Sequence, residues 1–180
     1  RPVKVSSEDM RRIGGEVGFV GSYEGARANS IRLLAQSGVA VRIYGDNWQR
    51  LKDEKVSGLF IEGKTVIADE YARTICSFDI NLHFLRKINR DQQTTRSIEI
   101  PACGKPMVAE RTQEHLNLFE DGKEAIFFDS DDELLEKTQY YMKHPSICER
   151  IGRAGRDRCL RSGYSNQHRL KQMLQTLQTL

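Results

Sequence analysis

No apolar run in this 180-residue chain approaches the ~18 residues that a membrane-spanning helix needs. No hydrophobic leader opens it either, and the expectation is a cytoplasmic protein. The sequence begins at Arg1 rather than Met, as a fragment or a chain with a processed N-terminus would. Cysteine is scarce. Cys76, Cys103, Cys148 and Cys159 form no C-x-x-C pair and have no histidine close by in the sequence, which argues for reduced, mostly buried thiols and against a metal site. The charge excess is small: 28 Lys and Arg against 25 Asp and Glu give a net +3, too little to argue for nucleic acid. There is no internal repeat and no low-complexity segment. His83, His115, His144 and His168 share no spacing, so neither a Ser-His-Asp nor a Cys-His constellation is supported.

What the sequence has is alternation. After a polar lead-in, residues 1–16, read as a linker, residues 17–21 (V-G-F-V-G) form a short buried strand closed by glycine. Residues 25–37 carry Ala28, Ile31, Leu34 and Ala35 at helical spacing, with Gly38 as a stop. A β-branched strand, 39–44, ends in the Gly45-Asp46-Asn47 turn. A short strand spans 59–66 with a Gly63-Lys64 turn inside it, a helix spans 69–76 and a strand spans 78–85. A helix at 95–103 is short or bent, because it contains Pro101. Strands at 106–109 and 125–128 follow, with helices at 114–119 and 132–143; in the latter Leu134, Leu135, Thr138, Tyr141 and Met142 make the inner face. Two helices finish the chain, 146–161 and one from about Asn166, where Leu170, Met173, Leu174, Leu177 and Leu180 keep an apolar stripe.

Strands alternating with helices predict a mostly parallel sheet covered on both faces. Ligands of such sheets bind outside the carboxyl ends of the strands. Three stretches fall there: 21–27, 63–66 and 86–95. The last is the most informative. It follows a buried strand, carries Arg86, Lys87, Arg90 and Arg96, offers Thr94 or Thr95 as a helix N-cap, and leads to one acid, Glu99. Backbone N–H groups and arginines at a helix start receive a phosphate, and a carboxylate just inside the helix accepts ribose hydroxyls. The bland readings are a solvated charge run for the basic cluster, a capping-box acid for Glu99, and a plain strand–helix turn for 21–27, which lacks G-x-G-x-x-G. Asp129-Ser130-Asp131 has a D-x-D spelling but opens a helix and reads as an N-cap. Trp48 and Tyr44 read as packing, and His83 as a core or rim residue. The helix 146–161, with Arg150, Arg153, Arg156, Arg158 and Arg161, reads as a solvated face; the other reading is contact with an anionic membrane surface or the seat of a partner domain.

From about residue 17 to about residue 169 the chain resembles the donor-binding half of GT-B glycosyltransferases, the group 1 family of retaining enzymes, and within it the spore-maturation-protein-like branch. That family marks the site with two acids separated by seven residues, then a short helix ending in Gly and a Pro-containing strand start. Here these are Asp91 and Glu99, followed by Ala102-Cys103-Gly104-Lys105-Pro106. Two positions depart from the pattern: Asp91 stands where the family usually has Glu, and Ser22 where it has Arg.

The resemblance implies one half of a GT-B architecture: a Rossmann-like three-layer α/β domain over residues 17–180 that binds a nucleoside-diphosphate sugar. It implies a retaining transfer to an acceptor, with no metal and no cofactor. Glu99 would hold the ribose. Arg27, Arg86 and Arg90, with the Thr94 and Thr95 amides, would hold the diphosphate and stabilise its departure. Gly21 and Ser22 would line the phosphate loop, Asp91 would touch the sugar, and 63–66 would face the base. An acceptor-binding N-terminal domain lies outside this sequence, so the chain alone would bind donor without transferring sugar. Two other classes stay open: half of a sugar-nucleotide epimerase, and a non-catalytic nucleotide- or polyanion-binding module.

Overall fold

A computed structural model describes residues 2–178, so Leu180, the last residue of the expected stripe, lies outside them. The elements in chain order are α1 (Ser7–Ile13), β1 (Gly15–Val20), α2 (Gly25–Gln36), β2 (Val41–Tyr44), α3 (Gln49–Asp53), β3 (Leu59–Ile61), α4 (Ala68–Cys76), β4 (Phe78–His83), α5 (Arg96–Ala102), β5 (Met107–Glu110), α6 (Gln113–Leu118), β6 (Ile126–Phe128), α7 (Asp131–Met142), α8 (Pro145–Arg161) and α9 (Asn166–Gln178). The six strands make one all-parallel sheet in the order β3-β2-β1-β4-β5-β6. The alternation predicted the covered parallel sheet, and the three-layer Rossmann-like arrangement is the one that the resemblance implied.

Successive strand side chains point to opposite faces of a sheet, and two cores result. Val17, Phe19, Val41, Ile43, Ile80 and Leu82 meet Ala28, Ile31 and Leu34 of α2, Leu134 of α7 and Ile151 of α8. On the other face Val20, Tyr44, Met107, Ala109 and Phe127 meet Ile75 of α4, Ile100 of α5 and Cys159 of α8. In α7, Leu134 and Thr138 are buried, while Leu135, Tyr141 and Met142 pack half-buried on the first core.

Four local readings change. The lead-in expected as a linker contains α1, with Ser6 as N-cap accepting from the Asp9 amide; its polarity concealed it because Ile13 is its one buried residue. Val3 and Val5 also pack on the second core. A five-residue helix, α3, follows Trp48, where no helix was expected. The strand expected over 59–66 ends at Ile61, because Gly63 takes a left-handed backbone (φ +65°) that a strand cannot continue through. The stripe of α9 forms, but Leu170, Met173, Leu174 and Leu177 are all exposed and α9 buries nothing. All four cysteines are buried and unbridged. No helix among the described residues is long and apolar enough to cross a membrane.

Candidate functional site

β1 and β4 are neighbours at the centre of the sheet. The chain leaves β1 towards β2 on one side and leaves β4 towards β5 on the other. The carboxyl ends of these two strands therefore flank the switch point of the topology, where open α/β sheets hold ligands. The loops 21–24 and 84–95 rise there.

Backbone contacts lace the loops together. Gly21 N donates to Tyr44 O at 2.8 Å, Tyr23 N to Asp46 O at 2.9 Å, and Gly45 N to Lys64 O at 2.9 Å. The loop after β1 is thus joined to those after β2 and β3, which brings 63–66 to the same rim as 21–27. Gly45 (φ +139°) allows this approach: a Cβ there would sit 2.1 Å from the Gly21 carbonyl oxygen. Trp48 donates its Nε1–H to Gly21 O at 2.8 Å and packs edge-on against Phe19 and Tyr23, so it supports the loop from below. Tyr44 is buried, with its hydroxyl donating to Ile13 O at 2.9 Å.

Arg27 and Glu24 join the two central loops. Arg27, buried at 7 % exposure, donates from Nη1 to Ser22 O (3.0 Å) and from Nη2 to Glu24 Oε2 (3.1 Å) and Leu85 O (3.3 Å). The other Glu24 oxygen accepts from Lys87 N at 3.3 Å. Glu110 secures the far side, accepting from Leu85 N (3.0 Å) and from Lys87 Nζ (2.9 Å). Most of the Arg27 guanidinium is thus spent on holding the crevice together rather than free for a ligand. The 86–91 segment closes on itself, with Asp91 N donating to Arg86 O and Arg90 in the left-handed region (φ +55°).

Charges of both signs meet here. Burial, the largest cause, lowers the pKa of Arg27; Glu24 opposes this, and the neighbouring Arg96 and Arg86 lower it again. Arg86 and Arg96 thus lie near enough for their charges to act on Arg27. Arg86 and Arg90 are exposed and have no side-chain partner among the described residues. The Nε atoms of Arg27 and Arg96 are buried without a hydrogen-bond acceptor. Buried donors without acceptors are costly.

The expected amide pair is half available. Thr94 N donates to Ser97 Oγ at 3.0 Å, because α5 begins at Arg96 and the Ser97 hydroxyl reaches back one turn to cap it; the Thr94 amide is therefore not a free anion donor, and Thr95 N stands beside it. Glu99 is exposed in the first turn of α5. Close to it lies the buried Tyr71 hydroxyl; burial first, then the Glu99 charge, pushes the phenol above its ordinary pKa, and Arg96 opposes this. Asp91 is half-buried after the basic turn. Ser22 contributes its carbonyl to Arg27.

A cavity of about 440 Å³ opens beside Lys87, between the N-termini of α2 and α7, lined also by Asn29, Ser30, Glu110 and Asp131. A second, of about 420 Å³, lies at the amino ends of β1, β4 and β5, away from the crevice. No group of three or more His, Cys, Asp or Glu placed to hold a metal occurs among the described residues. Ser130 caps α7 by accepting from Glu133 N, as its D-x-D context suggested. On α8, Arg158 donates to Leu118 O, and Arg158 and Arg161 both lie near Glu124, so part of the basic face is committed to the chain itself.

Glu24, Tyr71, Ser97, Glu110 and His115 take places at the site that the sequence did not assign to them. Glu24 alone had a signal, as an acid inside the glycine-bounded loop 21–25.

A model of the family described as "Glycosyl transferase-like" matches residues 27–175. No curated protein matches significantly. Among solved structures, Anabaena HepE in complex with UDP-glucose is similar to the chain at 17 % identity and a TM-score of 0.73, covering 98 % of this chain and 54 % of HepE. The C-terminal domain of a group 1 glycosyl transferase protein, LpcC of Francisella tularensis, superposes with a TM-score of 0.70 at 12 % identity, covering 92 % of this chain and 95 % of that domain. Sucrose-phosphate synthase from Thermosynechococcus elongatus gives 0.68 at 16 % identity, covering 90 % of this chain and 45 % of that one. At such identities the likeness is one of fold. The chain spans about half the length of HepE.

Proposed function

The chain belongs to the glycosyl transferase-like family, and on that premise we propose that it is the donor-binding half of a GT-B glycosyltransferase that takes a nucleoside-diphosphate sugar. One observation carries this reading: the loop after β4 places the exposed Arg86 and Arg90, and the first turn of α5 with Arg96, at the carboxyl end of the β1–β4 seam. The complex of HepE with UDP-glucose supports it through the shared fold.

In this reading the diphosphate lies between the loops after β1 and β4. Arg86, Arg90 and Arg96 meet its oxygens, with the Thr95 amide. Arg27 serves mainly as the tie that keeps the two loops at fixed separation, with Gly21 and Ser22 forming the wall on its side. Glu99 accepts the ribose hydroxyls, Asp91 contacts the sugar, and residues 63–66 face the base. As the glycosidic bond breaks, negative charge grows on the leaving diphosphate. Arginines already in place stabilise that charge more than the ground state, so their binding energy appears in the rate. Retention of configuration, a reaction without metal, a spore-maturation-protein-like branch, a cytoplasmic location and an acceptor-binding domain beyond this chain all belong to the same proposal.

The test is calorimetric titration of the protein with UDP, GDP and ADP. Binding of one of them, weakened in Arg86→Ala, supports the reading; failure of all three to bind at millimolar concentration overturns it.

A further inference from the structure

Beneath the crevice lie three buried polar side chains that donor binding does not itself require. His83 ends β4, Ser97 sits in the first turn of α5, and His115 sits in α6; their exposures are 1 %, 0 % and 0 %. The Ser97 hydroxyl lies 3.0 Å from His83 Nε2 and 2.8 Å from His115 Nε2. His115 Nδ1 lies 2.6 Å from the Glu110 carbonyl oxygen. Ser97 Oγ also accepts from Thr94 N at 3.0 Å.

One proton arrangement fits these contacts. A carbonyl can only accept, so His115 carries its hydrogen on Nδ1 and its Nε2 is bare. The Ser97 hydroxyl must then donate to His115 Nε2. Both Ser97 lone pairs are left for the Thr94 N–H and for an N–H on His83 Nε2, which the Thr94 hydroxyl oxygen, 3.4 Å from the same nitrogen, also accepts. The His83 hydrogen is fixed there, and His83 Nδ1, bare, is the ring atom buried without a partner. A proton added to His115 would turn the Ser97 hydroxyl hydrogen away with no acceptor to receive it. A proton added to His83 would sit on the unpartnered nitrogen.

We propose that Ser97 is a positioning residue of the donor site: through His83 and His115 it locks the first turn of α5 to β4 and α6, and so fixes where Glu99 and the end of the 86–94 loop stand. This rests on the donor-binding reading. Thr94, whose amide Ser97 holds, closes the basic loop, and Glu99 follows Ser97 by two residues. The lock holds only while both rings are neutral. His115 and the guanidiniums of Arg96 and Arg27 surround His83, and Glu110 and the stacked Phe127 ring flank His115. Burial is the chief force pushing both rings below their ordinary pKa; the neighbouring cations reinforce it at His83, and Glu110 opposes it at His115.

The experiment has two arms. Long-range proton–nitrogen NMR on the wild-type protein at pH 7.5 reads the tautomers; His83 protonated on Nε2 and His115 on Nδ1 are expected, and the reverse assignment at either ring overturns the lock. Calorimetry then compares whichever of UDP, GDP or ADP binds the wild type with its binding to Ser97→Ala and Ser97→Thr. Ser97→Ala should weaken binding about tenfold, with Ser97→Thr, which keeps the hydroxyl, recovering most of it. Ser97→Ala binding as tightly as wild type, whatever its melting temperature, overturns the positioning role alone. Wild-type protein that binds none of the three overturns the donor reading on which it rests. Should Ser97→Thr not fold, the tautomers and the alanine variant still decide.

Discussion

Gly152 of α8 lies so close to Gly104, the residue that closes α5, that a Cβ at 152 would sit 2.4 Å from the Gly104 carbonyl oxygen. The obstacle is backbone, which cannot swing aside. In an exposed helix, Gly→Ala gains up to about 1 kcal/mol. Here Gly152→Ala should instead cost about 1–3 kcal/mol through overpacking, read as a lower urea midpoint with an unchanged m-value. A stabilised variant would mean that α8 stands further from α5 than the structure has it.

Arg27 and Arg86 should separate by phenotype. Removing the buried Arg27 leaves Glu24 without its partner and the Ser22 and Leu85 carbonyls without a donor, so Arg27→Met should lose about 3 kcal/mol of stability. Arg86 is exposed and unpaired, so Arg86→Met should change stability by less than about 0.5 kcal/mol while weakening nucleotide binding and its dependence on salt. Denaturant melts and titrations at two ionic strengths check both. Equal destabilisation by the two substitutions would remove Arg27 from its place as the tie between the loops.

For Glu99, exposure makes the forecast simple. Glu99→Ala should leave the melting temperature within a degree or two and weaken nucleoside-diphosphate binding roughly ten- to a hundredfold, the worth of hydrogen bonds to a charged acceptor. A stability loss with intact affinity would return Glu99 to a capping role.

The buried histidines set an acid limit. In the native state both have pKa values below the ordinary 6.5. As pH falls below 6.5 the unfolded chain takes up protons that the native protein refuses. The stability they contribute is therefore full above the unfolded value and is lost as pH falls from it towards the folded values, by at most about 1.4 kcal/mol per pH unit for each ring. Guanidinium melts between pH 7.5 and 5 measure this slope. A flat profile would mean that the rings are protonated in place.

A bound nucleoside diphosphate at ~100 times its dissociation constant should add about 2.7 kcal/mol of stability, visible as a rise in melting temperature. The same chain, offered labelled nucleotide sugar and acceptors, should give slow donor hydrolysis at most. Efficient transfer by this chain alone would require acceptor-binding residues within it.

Much of the architecture was legible because burial imposes a period on the sequence. Ala28, Ile31 and Leu34 mark α2, and Val41 and Ile43 mark β2, since each faces a core. α1 and α3 were hidden for the converse reason: each buries one residue, Ile13 or Leu51, too few to make a pattern. At the site, the cluster Arg86, Arg90, Arg96 and Glu99 could be seen because it is contiguous. The role of Arg27 could not, because its partners are the carbonyls of Ser22 and Leu85, which no side-chain pattern records. Nor could the engagement of the Thr94 amide by Ser97, which depends on where α5 starts. Ser97 reaches His83 and His115 across 14 and 18 residues of chain, a separation that only the folded sheet spans.

The pairing of β1 with β4 has a kinetic meaning. Val17 lies beside Ile80, whereas the other strand pairs join neighbours in sequence. Closing so long a stretch of chain costs entropy before any contact repays it, and such non-local pairings slow folding. The seam that forms across that longest loop is also the floor of the crevice. Neither the β1–β3 part nor the β4–β6 part contains that seam alone, so the crevice is complete only once the two halves have paired.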